Sequence, residues 1–278
     1  PWLHLPLGLT SQLAIIVVVS FLAIFSAVSG VAKGIRRLSE INILVSILLL
    51  LAILIMGPTL YLLKLMPASL WDYLSNVIPM GFWTAEKARN QAWQGAWTVF
   101  YWGWWLAWMP FVALFVARIS KGRTVREFIL GVLLVPSAMV LAWMTIFGGT
   151  ALYQEVQQGT DINQIVNTDY SLGMVALIQG LHVPALETPL YIVVSFLLFS
   201  WLITSLDSAT LVICHILHVD HLNSMKIFWG FILGTVTATL LLMGGIGALQ
   251  AASIIVGLPM AFLALLMIVA CYRFIHQG

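Results

Sequence analysis

The chain has 278 residues, 62% of them hydrophobic and only 8% charged, with a formal net charge of +2. Soluble domains carry roughly a quarter charged residues, so this balance excludes a soluble globular protein and points to a polytopic membrane protein. The small positive excess offers no footprint for nucleic acid. Cys214 and Cys271 both lie in apolar segments and read as buried free thiols rather than a disulfide.

Pro1 is not an initiator methionine and no signal-peptide start precedes the first apolar run, so the chain reads as a piece of a longer protein. A membrane span needs about 20 apolar residues. The first covers about Ser11 to Ala32 and is followed by a basic turn, KGIRRLSE, from Lys33 to Glu40. The second covers about Ile41 to Leu63 and carries Gly57-Pro58, a kink or loosened turn. Residues 64–95 mix apolar and polar positions at helical spacing and read as an interfacial amphipathic helix plus loop. The third span, about Ala96 to Ile119, leads into the hydrophilic turn RISKGRTVRE. The fourth covers about Phe128 to Phe147. A polar insert from about Thr150 to Tyr170 and a short amphipathic element, SLGMVALIQGL, come next. The fifth span is about Leu190 to Ile213, ending in the His-rich turn HILHVDHLNSMK. The sixth is about Ile227 to Met243 and the seventh about Ala251 to Tyr272.

Lys33, Arg36, Arg37, Arg118, Lys121, Arg123, Arg126, Lys226 and Arg273 all fall in turns on one side of these seven spans. Only Lys64, Lys87 and Arg89 fall on the other. The positive-inside rule then starts the chain outside and ends it in the cytoplasm. Secondary transporters are often built from inverted repeats. Counted in fives from the end, residues 96–278 form one complete repeat, residues 1–63 the last two spans of the preceding one, and residues 64–95 an extracytoplasmic connection.

The third span concentrates the chemistry. Between Trp93 and Pro110 stand Trp93, Trp97, Trp102, Trp104, Trp105 and Trp108, half of the chain's 12 tryptophans. Trp104, Trp105, Trp108, Phe111 and Phe115 follow helical spacing and share a face, while Trp102 points elsewhere. Trp93 and Trp97 suit an interfacial aromatic belt, but Trp104, Trp105 and Trp108 lie near mid-membrane. Indole faces are the best side-chain partners for an organic cation; plain packing is the competing account. Pro110 lacks an N–H, so the carbonyl of Leu106 loses its helical partner, and a freed carbonyl at membrane depth must face protein, water or an ion. A simple kink is the alternative.

In the fifth span, Thr204 and Ser205 offer hydroxyls that suit a hard cation such as Na⁺, or that bond back to their own helix. Asp207 is the only carboxylate well inside a span, near its cytoplasmic end, where helix pairing or gating fits better than substrate contact. His215, His218 and His221 sit in a cytoplasmic turn with Asp220 between them, where a metal site is the lesser alternative because zinc also needs a closed ligand set and geometry. No phosphate loop, nucleophile elbow or metalloprotease motif is present, which argues against an enzyme.

Residues 97–136, WTVFYWGWWLAWMPFVALFVARISKGRTVREFILGVLLVP, closely resemble the betaine/choline/carnitine transporter family, as do SAVSGVAKGIRRLSEIN at 26–42 and ITSLDSAT in the fifth span. The resemblance covers essentially the whole chain. It implies an all-α membrane protein with part of a LeuT-like fold of two inverted five-helix repeats. Trp105 would be a wall of the aromatic box, Trp108 the ring that engages the trimethylammonium group, and Trp104 a neighbour on the same path. Phe111 would lie beside a second sodium site. Thr204 and Ser205 would be hydroxyl ligands of the main sodium site, with the Trp201 carbonyl beside them. Met109, Ala113 and Leu206 depart from the usual Ser, Gly and Ala, and WWLAWMPF follows the betaine/choline pattern rather than the carnitine one. The expected protein is a homotrimeric, multi-pass transporter of the cell inner membrane, without a metal or other cofactor. It imports glycine betaine or choline for osmoprotection by symport with a cation, with Na⁺ as the candidate coupling ion. A same-fold carrier of an amino acid or sulfonium osmolyte, and a non-transporting sensor, are the alternatives.

Overall fold

The computed structural model describes residues 8–29 and 32–277, and among them the regular elements are helices. Seven are long and apolar enough to cross a membrane: Leu9–Ser29, Arg37–Met56, Asn90–Ala117, Val125–Gln157, Pro184–Ile216, Asn223–Gly244 and Gly247–Phe274. The chain is thus an all-α, multi-pass membrane protein. The side chains of Lys33, Arg36, Arg89 and Arg118, used above for orientation, lie outside the described residues.

Contacts group the helices into two units, described separately. The first takes residues 32–81 and 123–205. Here α2 (Ala32–Met56) contains the basic stretch expected as a turn. It stops at Met56, short of the expected Leu63, because Pro58 has no N–H and disfavours a helical Gly57. The Thr59 hydroxyl donates to the orphaned Leu54 carbonyl at 2.7 Å, and α3 (Thr59–Gly81) begins there. Leu62 is buried at its start, while Leu70, Trp71, Leu74 and Ile78 line an exposed apolar stripe at helical spacing.

The fourth span is the clearest correction to the sequence reading. Helix α6 (Val125–Trp143) opens on a capping box, in which Thr124 Oγ1 accepts from the Glu127 N–H at 3.2 Å and the Thr124 N–H donates to Glu127 Oε2 at 3.0 Å. Its axis continues through a π-helical turn, Met144–Gly148, into α7 (Gly149–Gln157). The helix therefore passes the two glycines and takes in the start of the expected polar insert. Two polar residues there are buried, and each finds a backbone acceptor for its donor. Thr150 Oγ1 donates to the Ile146 carbonyl at 2.6 Å, and Gln154 Nε2 to the Leu177 carbonyl at 3.1 Å.

Beyond it lie α8 (Ile162–Thr168) and α9 (Gly173–Gln179), the latter burying Ala176, Leu177 and Ile178. Between them Asp169 Oδ1 accepts from the Ser171 hydroxyl at 2.7 Å and its N–H at 2.9 Å, which holds the carboxyl below its usual range. The core of this unit is aliphatic apart from Phe147: Leu49, Leu50 and Ile53 of α2, Leu62, Ile146, Leu177, Ile178, and Leu190 and Leu197 of α10 (Pro184–Ile216).

The second unit takes residues 8–29, 82–122 and 206–277, so the division falls inside α10, after Ser205. Its helices are α1 (Leu9–Ser29), α4 (Ala88–Gln94), α5 (Phe100–Ile119), α11 (Asn223–Gly244) and α12 (Ile246–Gln277). Membrane helices gain no hydrophobic drive from lipid, so they associate where small residues let them approach. Helix α11 uses Gly230 and Gly234 against Ile24 and Ser20 of α1, and a Cβ on Gly234 would stand 2.6 Å from Ser20 Oγ. Helices α5 and α12 meet at Gly103, Ile254 and Gly257, and a Cβ on Gly257 would lie 2.7 Å from the Gly103 Cα.

Candidate functional site

A π-helical turn, Gly95–Val99, leads into α5. Such turns displace the side chains that follow and occur often at functional sites. From it a ladder of rings descends. Trp97 stacks on Tyr101 at 5.9 Å with 6° between planes, and Tyr101 meets Trp104 at 5.9 Å. Trp104 meets Trp108 edge-on at 6.4 Å, and Trp108 meets Phe111 at 5.6 Å. Phe100 stacks on Trp104 from the side at 5.7 Å. Successive members are three or four residues apart, which is why one helix face carries them all. The structure therefore brings Trp104, Trp108 and Phe111 together.

Trp105 stands apart. It is 65% exposed and joins none of the ring contacts among the described residues. The reason is geometric: Trp105 lies about 100° around the helix from Trp104. Gly103, two residues back, faces α12 at backbone distance. Residues two apart point to nearly opposite sides of a helix, so the close packing of α5 on α12 turns Trp105 away from α12. Trp105 and Trp108, three residues and about 60° apart around the helix, remain neighbours on α5, although no ring contact joins them among the described residues. Pro110 does not end the helix; α5 runs from Phe100 to Ile119 through it, so the interruption is a missing bond inside a continuous helix.

Trp201, Thr204 and Ser205 lie on the part of α10 that belongs to the first unit. Thr204 Oγ1 donates to the Ser200 carbonyl at 3.0 Å and the Trp201 carbonyl at 3.1 Å. Its hydroxyl and the Trp201 carbonyl are therefore already adjacent oxygens, with the hydroxyl hydrogen turned back to the helix and a lone pair left outward. Ser205 is exposed. The Trp201 ring is fixed edge-on by Trp143 at 5.9 Å.

One supporting residue was missed. Asn42, 5% exposed, accepts at Oδ1 from the Ser200 hydroxyl at 2.7 Å, and its carbonyl accepts from Ser46 at 2.6 Å. It ties α2 to α10 one turn before Thr204. A lone Asn opening the apolar run INILVS was the only signal, and sequence alone does not tell a buried amide from an interfacial one. Phe111, the remaining expected cation-site residue, is on α5 in the other unit. In the His-rich turn His215 Nδ1 stands 3.4 Å from Asp220 Oδ2.

A family model described as BCCT, betaine/carnitine/choline family transporter, matches residues 2–278. The chain is 37% identical over 276 residues to the ectoine/hydroxyectoine transporter of Virgibacillus pantothenticus, covering 98% of this chain and 54% of that protein. It is 36% identical over 273 residues to the glycine betaine transporter OpuD of Bacillus subtilis, covering 97% and 52%. It is 39% identical over 269 residues to glycine betaine transporter 1 of Vibrio parahaemolyticus, covering 95% and 50%. The chain spans about half the length of these curated relatives.

Proposed function

The chain belongs to the betaine/carnitine/choline transporter family, and on that premise we propose that it forms part of a secondary active transporter importing a quaternary-ammonium solute such as glycine betaine or choline. The family and its named members are transporters, which points to a non-enzyme. The observation that carries the substrate class is the ring ladder of α5. A trimethylammonium group donates no hydrogen bond and sheds its water cheaply, so stacked π faces bind it better than a hydrated ammonium. Trp104 and Trp108 form one wall, Trp105 presents a second face, and the partly unbonded turn before Pro110 lets the helix flex. Residues 1–63 close one five-helix repeat and residues 96–278 make the next, and rocking between repeats gives alternating access. The protein sits in the inner membrane with its C-terminal end cytoplasmic, as a homotrimer.

Competition decides the substrate class. In cells expressing the full-length protein, unlabelled choline or glycine betaine is expected to suppress labelled uptake, and failure of both overturns the reading. A second reading, an ectoine-type solute, has support in the 37% identity to a protein named for ectoine and hydroxyectoine; the same assay with ectoine as competitor separates the two.

The coupling cation, sodium in this reading, is held by the Trp201 carbonyl with Thr204 and Ser205, and Phe111 borders a second position. The adjacency of Thr204 Oγ1 and the Trp201 carbonyl supports the oxygen cluster that a hard cation requires. Replacing Thr204 and Ser205 together by Ala is expected to raise the sodium concentration for half-maximal uptake about tenfold, a loss of about 1.4 kcal/mol. An unchanged sodium dependence removes both residues from the ion site.

A further inference from the structure

The loop that leads into α4 encloses a cavity with no part in the reading above. Its volume is about 480 Å³, and its lining is Phe82, Trp83, Thr84, Glu86, Lys87 and Asn90, all in the second unit. Small-molecule sites run from roughly 300 to 1,000 Å³. One side chain of α4 fixes the loop. Gln94 Oε1 accepts from the Ala85 N–H at 3.0 Å, and its Nε2 donates to the Trp83 carbonyl at 3.0 Å. The Trp83 ring also meets Trp93 edge-on at 6.3 Å. The wall is thus set in advance, while Phe82 is 85% exposed and Trp83 45%, so both rings stay open to a ligand.

The charges of the lining select that ligand. A simple anion meets the Glu86 carboxylate, and a simple cation meets the Lys87 ammonium, so each faces one like charge. A zwitterion gives both groups their opposite. The rings then favour an alkylated ammonium, which donates no hydrogen bond and sheds its water cheaply, over a primary one. The Asn90 amide adds donors for the acidic end. An interfacial aromatic belt would account for the rings, but not for a cavity that also carries a carboxylate and an ammonium. Lys87 is moreover one of three basic residues on the sparsely charged side of the spans, where topology does not call for it.

We propose that this loop is a second binding site, for a small zwitterion with a methylated ammonium of the glycine betaine type. Phe82, Trp83 and Glu86 face the ammonium, and Lys87 and Asn90 face the carboxylate. The site stands at the head of the ring ladder: Trp83 meets Trp93, and Trp97 follows four residues later and stacks on Tyr101. Choline, which has no carboxylate, is held less well here. The choice of solute rests on the transporter reading; the cavity and its charges do not.

Chemical footprinting of the purified full-length protein in detergent tests it. Lysines are acylated with a hydroxysuccinimide ester, and the rate at each is read by mass spectrometry. Glycine betaine is expected to slow acylation of Lys87 several-fold and saturably, to leave the exposed Lys64 unaffected, and to act more strongly than choline. No slowing at Lys87, or equal slowing at Lys64, overturns the proposal, and equal protection by choline overturns the zwitterion assignment. Trp108→Leu separates this site from the ladder: protection of Lys87 persists in that variant, and its loss there would trace the effect to the ladder and overturn the proposal. Trp83→Leu is expected to raise the half-protecting concentration about threefold, the scale of an exposed cation–π contact; an unchanged value removes the ring from the site. Lys87 shielded in phosphatidylcholine nanodiscs with no solute added would assign the cavity to a lipid headgroup and overturn the free-solute proposal. Protection without uptake in cells strikes the transporter reading and leaves this site standing, whereas uptake without protection strikes this site alone.

Discussion

Trp108→Leu in the full-length protein is expected to weaken glycine betaine binding about 30-fold and to abolish uptake at low substrate. Trp108 stands between Trp104 at 6.4 Å and Phe111 at 5.6 Å, so its ring is held on both sides of one helix face. Leu keeps an apolar side chain in that space, and the rest of α5 has no reason to unfold. What disappears is the π face. A desolvated cation–π contact is worth about 2 kcal/mol or more, and each 1.4 kcal/mol is about tenfold in affinity. Trp108→Phe retains a weaker face and should fall between parent and Leu. Binding by the purified variants, followed by isothermal titration, reads the effect directly. An unchanged dissociation constant in a folded Trp108→Leu protein would remove Trp108 from the site.

The second large effect is expected from one added methyl group. Gly257→Ala places a Cβ against the Gly103 carbonyl oxygen and 2.7 Å from its Cα. These are backbone atoms, so no side chain can swing aside and α5 and α12 must separate. Overpacking of this sort costs about 1–3 kcal/mol, occasionally more. The propensity gain of Ala over Gly in a helix interior, about 1 kcal/mol, acts in the opposite direction and is the smaller effect. The variant should melt below the parent in detergent. It should also bind substrate less well, because the same contact sets the rotation of α5 and with it the direction of Trp105. A melting temperature above the parent's, the propensity gain acting alone, would show that the two helices do not meet at these glycines.

Neither expectation could have been drawn from residue order in the same form. Helical spacing places Trp104, Trp108 and Phe111 on one face because that periodicity is local, and the ring contacts agree. Trp105 sits about 100° from Trp104, a separation that a helical wheel tolerates within one broad face. Its separation from the ladder depends on which side of α5 is covered, and that is set by Gly103 and Gly257, which lie 154 positions apart. Similarly, the fifth-span motif marked Thr204 and Asp207. Sequence alone could not show that Thr204 bonds to Ser200 and Trp201, or that Asn42, 158 positions from Ser200, supports that turn.

What the sequence determined by itself is the class and most of the spans. Apolar length fixes a membrane helix because the bilayer has one thickness and every backbone group must be bonded within it. The Gly57-Pro58 break was also legible, since proline acts through its own missing N–H and the residue before it. The tertiary structure decided the rest. It carried the fourth span through a π-helical turn to Gln157, where glycines and polar residues argued for an end, because Thr150 and Gln154 find buried acceptors in Ile146 and Leu177. It enclosed Asp207 with Ser26, and it chose the face that each helix of a packed pair presents. Hydropathy is summed along the chain and survives without a partner. Hydrogen-bond satisfaction and helix rotation depend on atoms supplied from distant positions, and they become fixed only when those positions meet.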